Sequence, residues 1–163
     1  MDLAKAARDP WVWGQTALML IVALVAPLMP RNFHLGDIDF ILNRVDPTWI
    51  RLLGGLLTLA GGIILAWGVR SLGRNITPGT EPLPNAALIT TGAYAYLRHP
   101  IYAGVVLLLT GYTLAWSNWT LALTLGLISL LYFQAKARAE ERRLVRRFPA
   151  YASYMRHVRR RIL

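Results

Sequence analysis

Cysteine is absent from this 163-residue chain, which excludes disulfides and thiolate chemistry. Histidine is scarce as well. The three present, at 34, 99 and 157, are scattered, so no histidine metal cluster is expected and no metal site is assigned. Charge is thin: 16% of residues are charged, where a soluble domain carries about 25%. No internal repeat is evident.

What fills the chain instead is hydrophobic sequence, 55% of it, with a positive mean hydropathy. It is gathered in four segments: Val12 to Met29, Leu52 to Val69, Ile101 to Trp116, and Trp119 to Phe133. Each approaches the roughly 17–25 residues that cross a bilayer. The last two are short, and the fourth gains length through Gln134 to Ala139 if Lys136 and Arg138 snorkel to the interface. An all-α membrane protein with about four transmembrane helices follows. The first segment is read as a crossing and not a cleaved signal peptide, because its apolar run is long and Pro27 and Pro30 end it. Residues 1–163 read as one membrane-embedded domain, with two crossings in 1–70 and a chemically richer region in 71–163.

The net charge of +10 sits in two places. The N-terminal stretch balances Lys5 and Arg8 against Asp2 and Asp9. The first loop balances Arg31, Arg44 and Arg51 against Asp37, Asp39 and Asp46, and the Ser117-Asn118 connection is uncharged. Arg70, Arg74 and Arg98 outnumber Glu81, and from Lys136 onward ten basic residues face only Glu140 and Glu141. Lys and Arg are retained on the cytoplasmic side. Both termini and the second loop are therefore expected there, in a multi-pass protein of a bacterial or archaeal inner membrane. The juxtamembrane position of the charge favours an anionic membrane surface as partner, at about 1 kcal/mol per basic residue, and disfavours nucleic acid. Oligomeric state is left open.

Gly54, Gly55, Gly61 and Gly62 in the second segment, with Thr58, Gly62 and Ala66 at spacing four, predict close helix packing. Gly111 and Ala115, and Ala122 and Gly126, repeat the theme. Between Ser71 and Thr91, three Pro and two Gly within fourteen residues exclude a regular helix. Two readings stand for this loop, a cover over a site or a plain connector. Beyond the fourth segment no breaker occurs before Phe148-Pro149, so one long helix should project into the cytoplasm until Pro149 stops it. Phe148, Tyr151, Met155, Val158 and Ile162 then fall on one helical face, which predicts an interfacial amphipathic helix.

Chemistry concentrates in Thr91-Gly92-Ala93-Tyr94-Ala95-Tyr96-Leu97-Arg98-His99-Pro100-Ile101-Tyr102-Ala103-Gly104. Polar groups at a membrane boundary are costly to desolvate, so their clustering suggests a site. Pro100 suits a first helical position. Arg98 and His99 oppose the helix dipole there, unless they and the free N–H groups face an anion. The competing reading makes them boundary cations. Glu140 and Glu141, alone in a basic tail, are either a solvated helix face or a receptor for a cationic ligand. Tyr151 and Tyr154 are open to the ordinary interfacial-aromatic reading.

Gly-x-Tyr-x-x-x-Arg-His-Pro-x-Tyr-x-Gly resembles the signature of membrane methyltransferases related to isoprenylcysteine carboxyl methyltransferase and phospholipid N-methyltransferase. The likeness begins at Gly73-Arg74-Asn75-Ile76-Thr77-Pro78 and resumes at Glu140-Glu141-x-x-Leu144 and Phe148-x-x-Tyr151-x-x-Tyr154-x-x-x-Val158. The resemblance implies S-adenosylmethionine as cofactor, in a site built from membrane helices and not a Rossmann sheet. The chain has no Gly-x-Gly-x-x-Gly turn, in agreement. It implies that Gly92, Tyr94, Arg98, His99, Pro100, Tyr102 and Gly104 bind the cofactor, completed by Glu140 and Glu141. Glu140, Lys136 and His99 are implied in catalysis, and Tyr151 and Tyr154 in substrate binding.

Lys136 stands where many relatives have Arg, and Phe148-Pro149 where Phe-Gly is usual. The implied acceptor is lipid or lipid-like: an isoprenylcysteine-like carboxylate, a phospholipid-like amine or a small hydrophobic thiol. An NADPH-dependent membrane reductase of similar architecture and a non-catalytic lipid-binding protein are the alternatives.

Overall fold

The computed structural model describes residues 8–29, 47–116 and 119–162. The charges expected in residues 1–7 and at 31–46, and the Ser117-Asn118 turn, lie outside the described residues; Arg51, expected in the first loop, stands instead within the helix Pro47–Leu72. All regular structure among the described residues is helical, and the chain is an integral membrane protein by the length and apolarity of its helices. Helix α1 is Pro10–Leu28, α2 Pro47–Leu72, α3 Pro100–Trp116, α4 Trp119–Arg147 and α5 Tyr151–His157. Single 3-10 turns occupy Gly73–Asn75 and Gly92–Ala95.

Helices α1, α2 and α4 are long and apolar enough to cross a membrane, while α3, at 17 residues, is shorter. Leu20, Leu24, Leu56, Leu59, Ile63, Leu127 and Leu131 stand exposed on the outer faces. Exposed apolar surface on this scale is the face a bilayer covers. Helix α4 runs unbroken to Arg147 and stops before Phe148-Pro149, as its sequence predicts.

The tightest packing is α2 against α3, and it is made by glycine. A β-carbon on Gly54 or Gly61 would come within 3 Å of the backbone of Gly111 and Ala115, or of Gly104 and Leu108. Gly104 and Gly111 answer reciprocally against Leu65 and Thr58. The contacting stripe is therefore Gly54, Gly61 and Gly68, seven residues apart, with Thr58 against Gly111; of the expected Thr58, Gly62 and Ala66, Gly62 and Ala66 lie off it. Gly55 and Gly62 face open space. Helices α1 and α4 complete the bundle, each leaning on α3 around Val22, Val105, Val106 and Phe133.

Asp9 caps α1 and ties it to the 71–91 loop. Its carboxylate accepts from Trp11 N at 3.0 Å, and from Thr80 N and Oγ1 at 2.8 Å each. Burial pushes this carboxyl up, but those hydrogen bonds and the Arg143 charge outweigh it and hold the group below its ordinary value of 3.8. A carboxylate depressed in the folded state contributes stability above its unfolded value, and loses that contribution as pH falls through the folded value. Acidification below about pH 4 should therefore release the loop. Amide exchange in residues 77–81 should rise there, and Asp9→Ala should show the faster exchange already at neutral pH.

The predicted amphipathic helix over 148–162 is shorter than expected. Helix α5 ends at His157, and Val158 turns to extended backbone. Residues 158–162 run back to the start of α3, where the carbonyls of Arg160 and Arg161 accept from Arg98 N at 3.0 Å and His99 N at 2.9 Å. Two N–H groups left unpaired ahead of α3 are worth more to the fold than continued helix. Tyr151, Tyr154 and Ile162 are consequently buried and do not lie in an interface.

Candidate active site

Where the loop, the start of α3, the lower half of α4 and α5 meet, they enclose a cavity of about 450 Å³. Pockets of roughly 300–1,000 Å³ hold cofactor-sized ligands. The 71–91 loop supplies one wall through Ile76, Thr77, Pro78 and Ala86 to Ile89, so it covers the cavity and is not a plain connector. Asn75 fastens the loop on itself, exchanging hydrogen bonds with Ala87 N and O at 3.3 Å each. At the other end Arg147 donates to Pro84 O at 2.6 Å.

Glu140 is the carboxylate of the cavity wall. Its Oε2 accepts from Tyr102 Oη at 2.7 Å and lies 3.6 Å from His99 Nδ1. The His99 ring stacks on Tyr102, with centroids 5.2 Å apart and planes 2° from parallel. Glu141 points the other way, into an ion cluster. Its Oε1 accepts from Arg98 Nε at 2.8 Å and lies 3.4 Å from His99 Nε2, while Oε2 meets Arg161 Nε and Nη2 at 2.9 Å.

Of the residues expected to hold a cofactor, Tyr94, Arg98, His99, Tyr102 and Glu140 line the cavity. Gly92, Pro100, Gly104 and Glu141 do not. Gly92 has φ of +62°, and a β-carbon there would meet Ser71 Oγ, so it serves the turn. Pro100 opens α3, and Gly104 lies against α2. The expectation that Arg98 and the N–H groups beside it face a ligand anion is not met: Arg98 is paired with Glu141, and the N–H groups are already taken by backbone carbonyls. The carbonyls of residues 160 and 161 take the N–H groups, and Arg98 Nη1 donates to Val158 O at 3.0 Å and Arg159 O at 3.2 Å.

Three tyrosines face the cavity from outside the crossings. Tyr154 Oη donates to Tyr94 O at 2.6 Å. Burial, then the charge of Glu140, pushes the Tyr94 phenol well up, and burial with Glu141 and Glu140 does the same for Tyr151. Tyr154 is pushed to about 12, again chiefly by burial. All three are therefore neutral hydroxyl donors at physiological pH. Tyr151 is 2% exposed and its Oη has no hydrogen-bond partner among the described residues, an unmet polar group in a cavity wall.

Lys136 is buried, with its Nζ on Pro78 O at 2.9 Å, on Gln15 Oε1, and 5.3 Å from the centre of the Tyr102 ring. A buried ammonium needs such partners. Sequence reasoning missed Gln15, although a polar side chain inside an apolar crossing is itself a signal of a site. Gln15→Leu removes one of the two oxygens on Lys136 and should lower stability by about 1–3 kcal/mol. A melting temperature in detergent equal to that of the wild type would contradict this.

The sequence profile of the Isoprenylcysteine carboxyl methyltransferase (ICMT) family matches residues 53–146. Two curated relatives are similar over most of this chain. The cobalt-zinc-cadmium resistance protein CzcN of Cupriavidus metallidurans is 33% identical over 126 residues, 77% of this chain and 56% of the relative. The nickel-cobalt-cadmium resistance protein NccN of Alcaligenes xylosoxydans xylosoxydans is 36% identical over 115 residues, 70% and 52% of the two chains. This chain thus spans about half the length of the curated relatives it matches.

Proposed function

Because the chain belongs to the isoprenylcysteine carboxyl methyltransferase family, we propose that it transfers a methyl group from S-adenosylmethionine to a membrane-soluble or amphipathic acceptor. The observation that carries this reading is the cavity itself. Among the described residues it holds one carboxylate, Glu140, with the cations Arg98 and Lys136 in otherwise apolar and aromatic walls and the unpartnered Tyr151 hydroxyl at its edge. A cationic nucleoside suits that donor set: Glu140 opposes its positive charge, while Tyr94, Tyr151 and His99 offer polar contacts to its remaining groups.

When bound, S-adenosylmethionine supplies a methyl already activated on sulfur, so the protein's work is alignment and exclusion of water. The 71–91 loop and Phe133, Leu144 and Phe148 keep the cavity apolar. Met19 of α1 and Leu65 and Val69 of α2 extend the lining to membrane depth, and these two helices each pack on α3 more than on one another. An acceptor tail reaches the cavity along that seam. A carboxylate acceptor needs no base. An amine acceptor gives up its proton to Glu140 or His99. Lys136 places a cation on the same wall, toward an anionic acceptor group.

In this reading the loop, the motif and the basic tail share the cytoplasmic side, where the tail meets anionic headgroups. The names of the two relatives concern resistance to metals and state no reaction. The test is incubation of membranes containing the protein with methyl-tritiated S-adenosylmethionine. Label should enter organic-extractable material above the level in membranes lacking the protein. An equal level would count against the proposal.

A further inference from the structure

Residues 158–162 lie beyond the segment matched by the family profile, yet they hold the Arg-His-Pro motif in place. We propose that Arg161 is a positioning residue for the methyl-donor site. It fixes Glu141, and through Glu141 and Arg98 it sets the His99 ring at the cavity wall. The inference rests on the methyltransferase reading above.

The geometry is a carboxylate held between two guanidinium groups. Arg161 brings Nε and Nη2 to Glu141 Oε2 at 2.9 Å, and Arg98 brings Nε to Oε1 at 2.8 Å. Arg161 Nη1 reaches Gln134 Oε1 at 3.3 Å, which orients the fork from its far side. The Arg98 and Glu141 side chains are 9% and 8% exposed, so little water competes for them. The backbone repeats the attachment, since the Arg161 carbonyl accepts from His99 N. Ile162, fully buried in the core cluster that also holds Phe133 and Val105, pins the segment just past Arg161. One residue thus holds the motif directly, by its carbonyl on His99, and indirectly, by its side chain on Glu141, which pairs with Arg98. Lysine would keep the charge and lose the fork. Arg160, by contrast, contributes its carbonyl while its side chain is exposed.

The test uses Arg161→Gln, Arg161→Lys and Arg160→Gln in the full chain, purified in detergent. Affinity for S-adenosylhomocysteine is measured by calorimetry, and amide exchange over residues 97–104 is measured without ligand. Arg161→Gln should weaken affinity by about 10-fold or more, the scale seen when outer-shell partners of a bound group are removed. It should also speed exchange at His99. Arg161→Lys should recover part of both, and Arg160→Gln should change neither.

Wild-type affinity in folded Arg161→Gln overturns the inference, as does an equal loss in Arg160→Gln. If Arg161→Gln does not fold, Arg161→Lys decides: wild-type affinity in that variant overturns it. A wild-type protein that is folded and protected over 97–104 but does not bind the ligand sinks the methyltransferase reading, and the donor-site role falls with it.

Discussion

Glu140→Gln is expected to reduce methyl transfer by on the order of 10²-fold, the scale of losing one preorganised electrostatic partner, while leaving the melting temperature nearly unchanged. Glutamine keeps the shape and still accepts from Tyr102 Oη, so the local packing survives. What is lost is the negative charge of the cavity wall, which in this account faces the positive charge of the donor.

The neighbouring change should behave in the opposite way. Glu141→Gln leaves Arg98, almost fully buried, and Arg161 without a counter-charge among the described residues. Removing one partner of a buried ion pair costs about 3–5 kcal/mol, so this variant should lose stability first. Turnover and melting temperature of the two variants, measured side by side, separate the roles. Equal turnover in Glu140→Gln and wild type would remove Glu140 from the site.

Gly61→Ala carries the other large effect, here on folding. A β-carbon at Gly61 meets backbone of α3, and backbone cannot rotate away as a side chain can. Overpacking costs about 1–3 kcal/mol where side chains can yield, so this substitution should exceed that range and prevent recovery of monodisperse protein. Gly62→Ala is the matched control. No described residue lies within 4 Å of its β-carbon, and alanine favours helix by about 1 kcal/mol, so it should be tolerated. Equal yields of the two proteins would mean that α2 and α3 do not touch through these glycines.

The helices were legible because hydrophobic runs of this length have few other uses in a chain so poor in charge. The motif from Gly92 to Gly104 and the pair Glu140-Glu141 stood out in the sequence, and the structure brings Tyr94, Arg98, His99, Tyr102 and Glu140 of them to one cavity. Their division of labour did not. Adjacent residues on a helix point about 100° apart, so Glu140 reaches the cavity while Glu141 meets Arg98 and Arg161. Which of the two does so depends on the roll of α4, which its own sequence does not specify.

The small-residue face of α2 was misplaced in part, at Gly62 and Ala66, for a similar reason. Spacing four and spacing seven both yield stripes of small residues, and only the partner helix selects one. Beyond His157 the helical spacing of Val158 and Ile162 held for the burial of Ile162, while Val158 is half-buried and turns to extended backbone. Unpaired N–H groups at Arg98 and His99 decided the conformation, and a local pattern carries no record of such distant partners.

Calorimetric titration of the detergent-purified protein, with lipid restored, against S-adenosylmethionine, S-adenosylhomocysteine and NADPH tests the central claim most directly. The account predicts saturable binding of the first two, weakened by Glu140→Gln, and none of NADPH. Binding of NADPH alone would make the chain a reductase built on the same architecture. Folded protein that binds none of the three would contradict a methyl-donor site in this cavity.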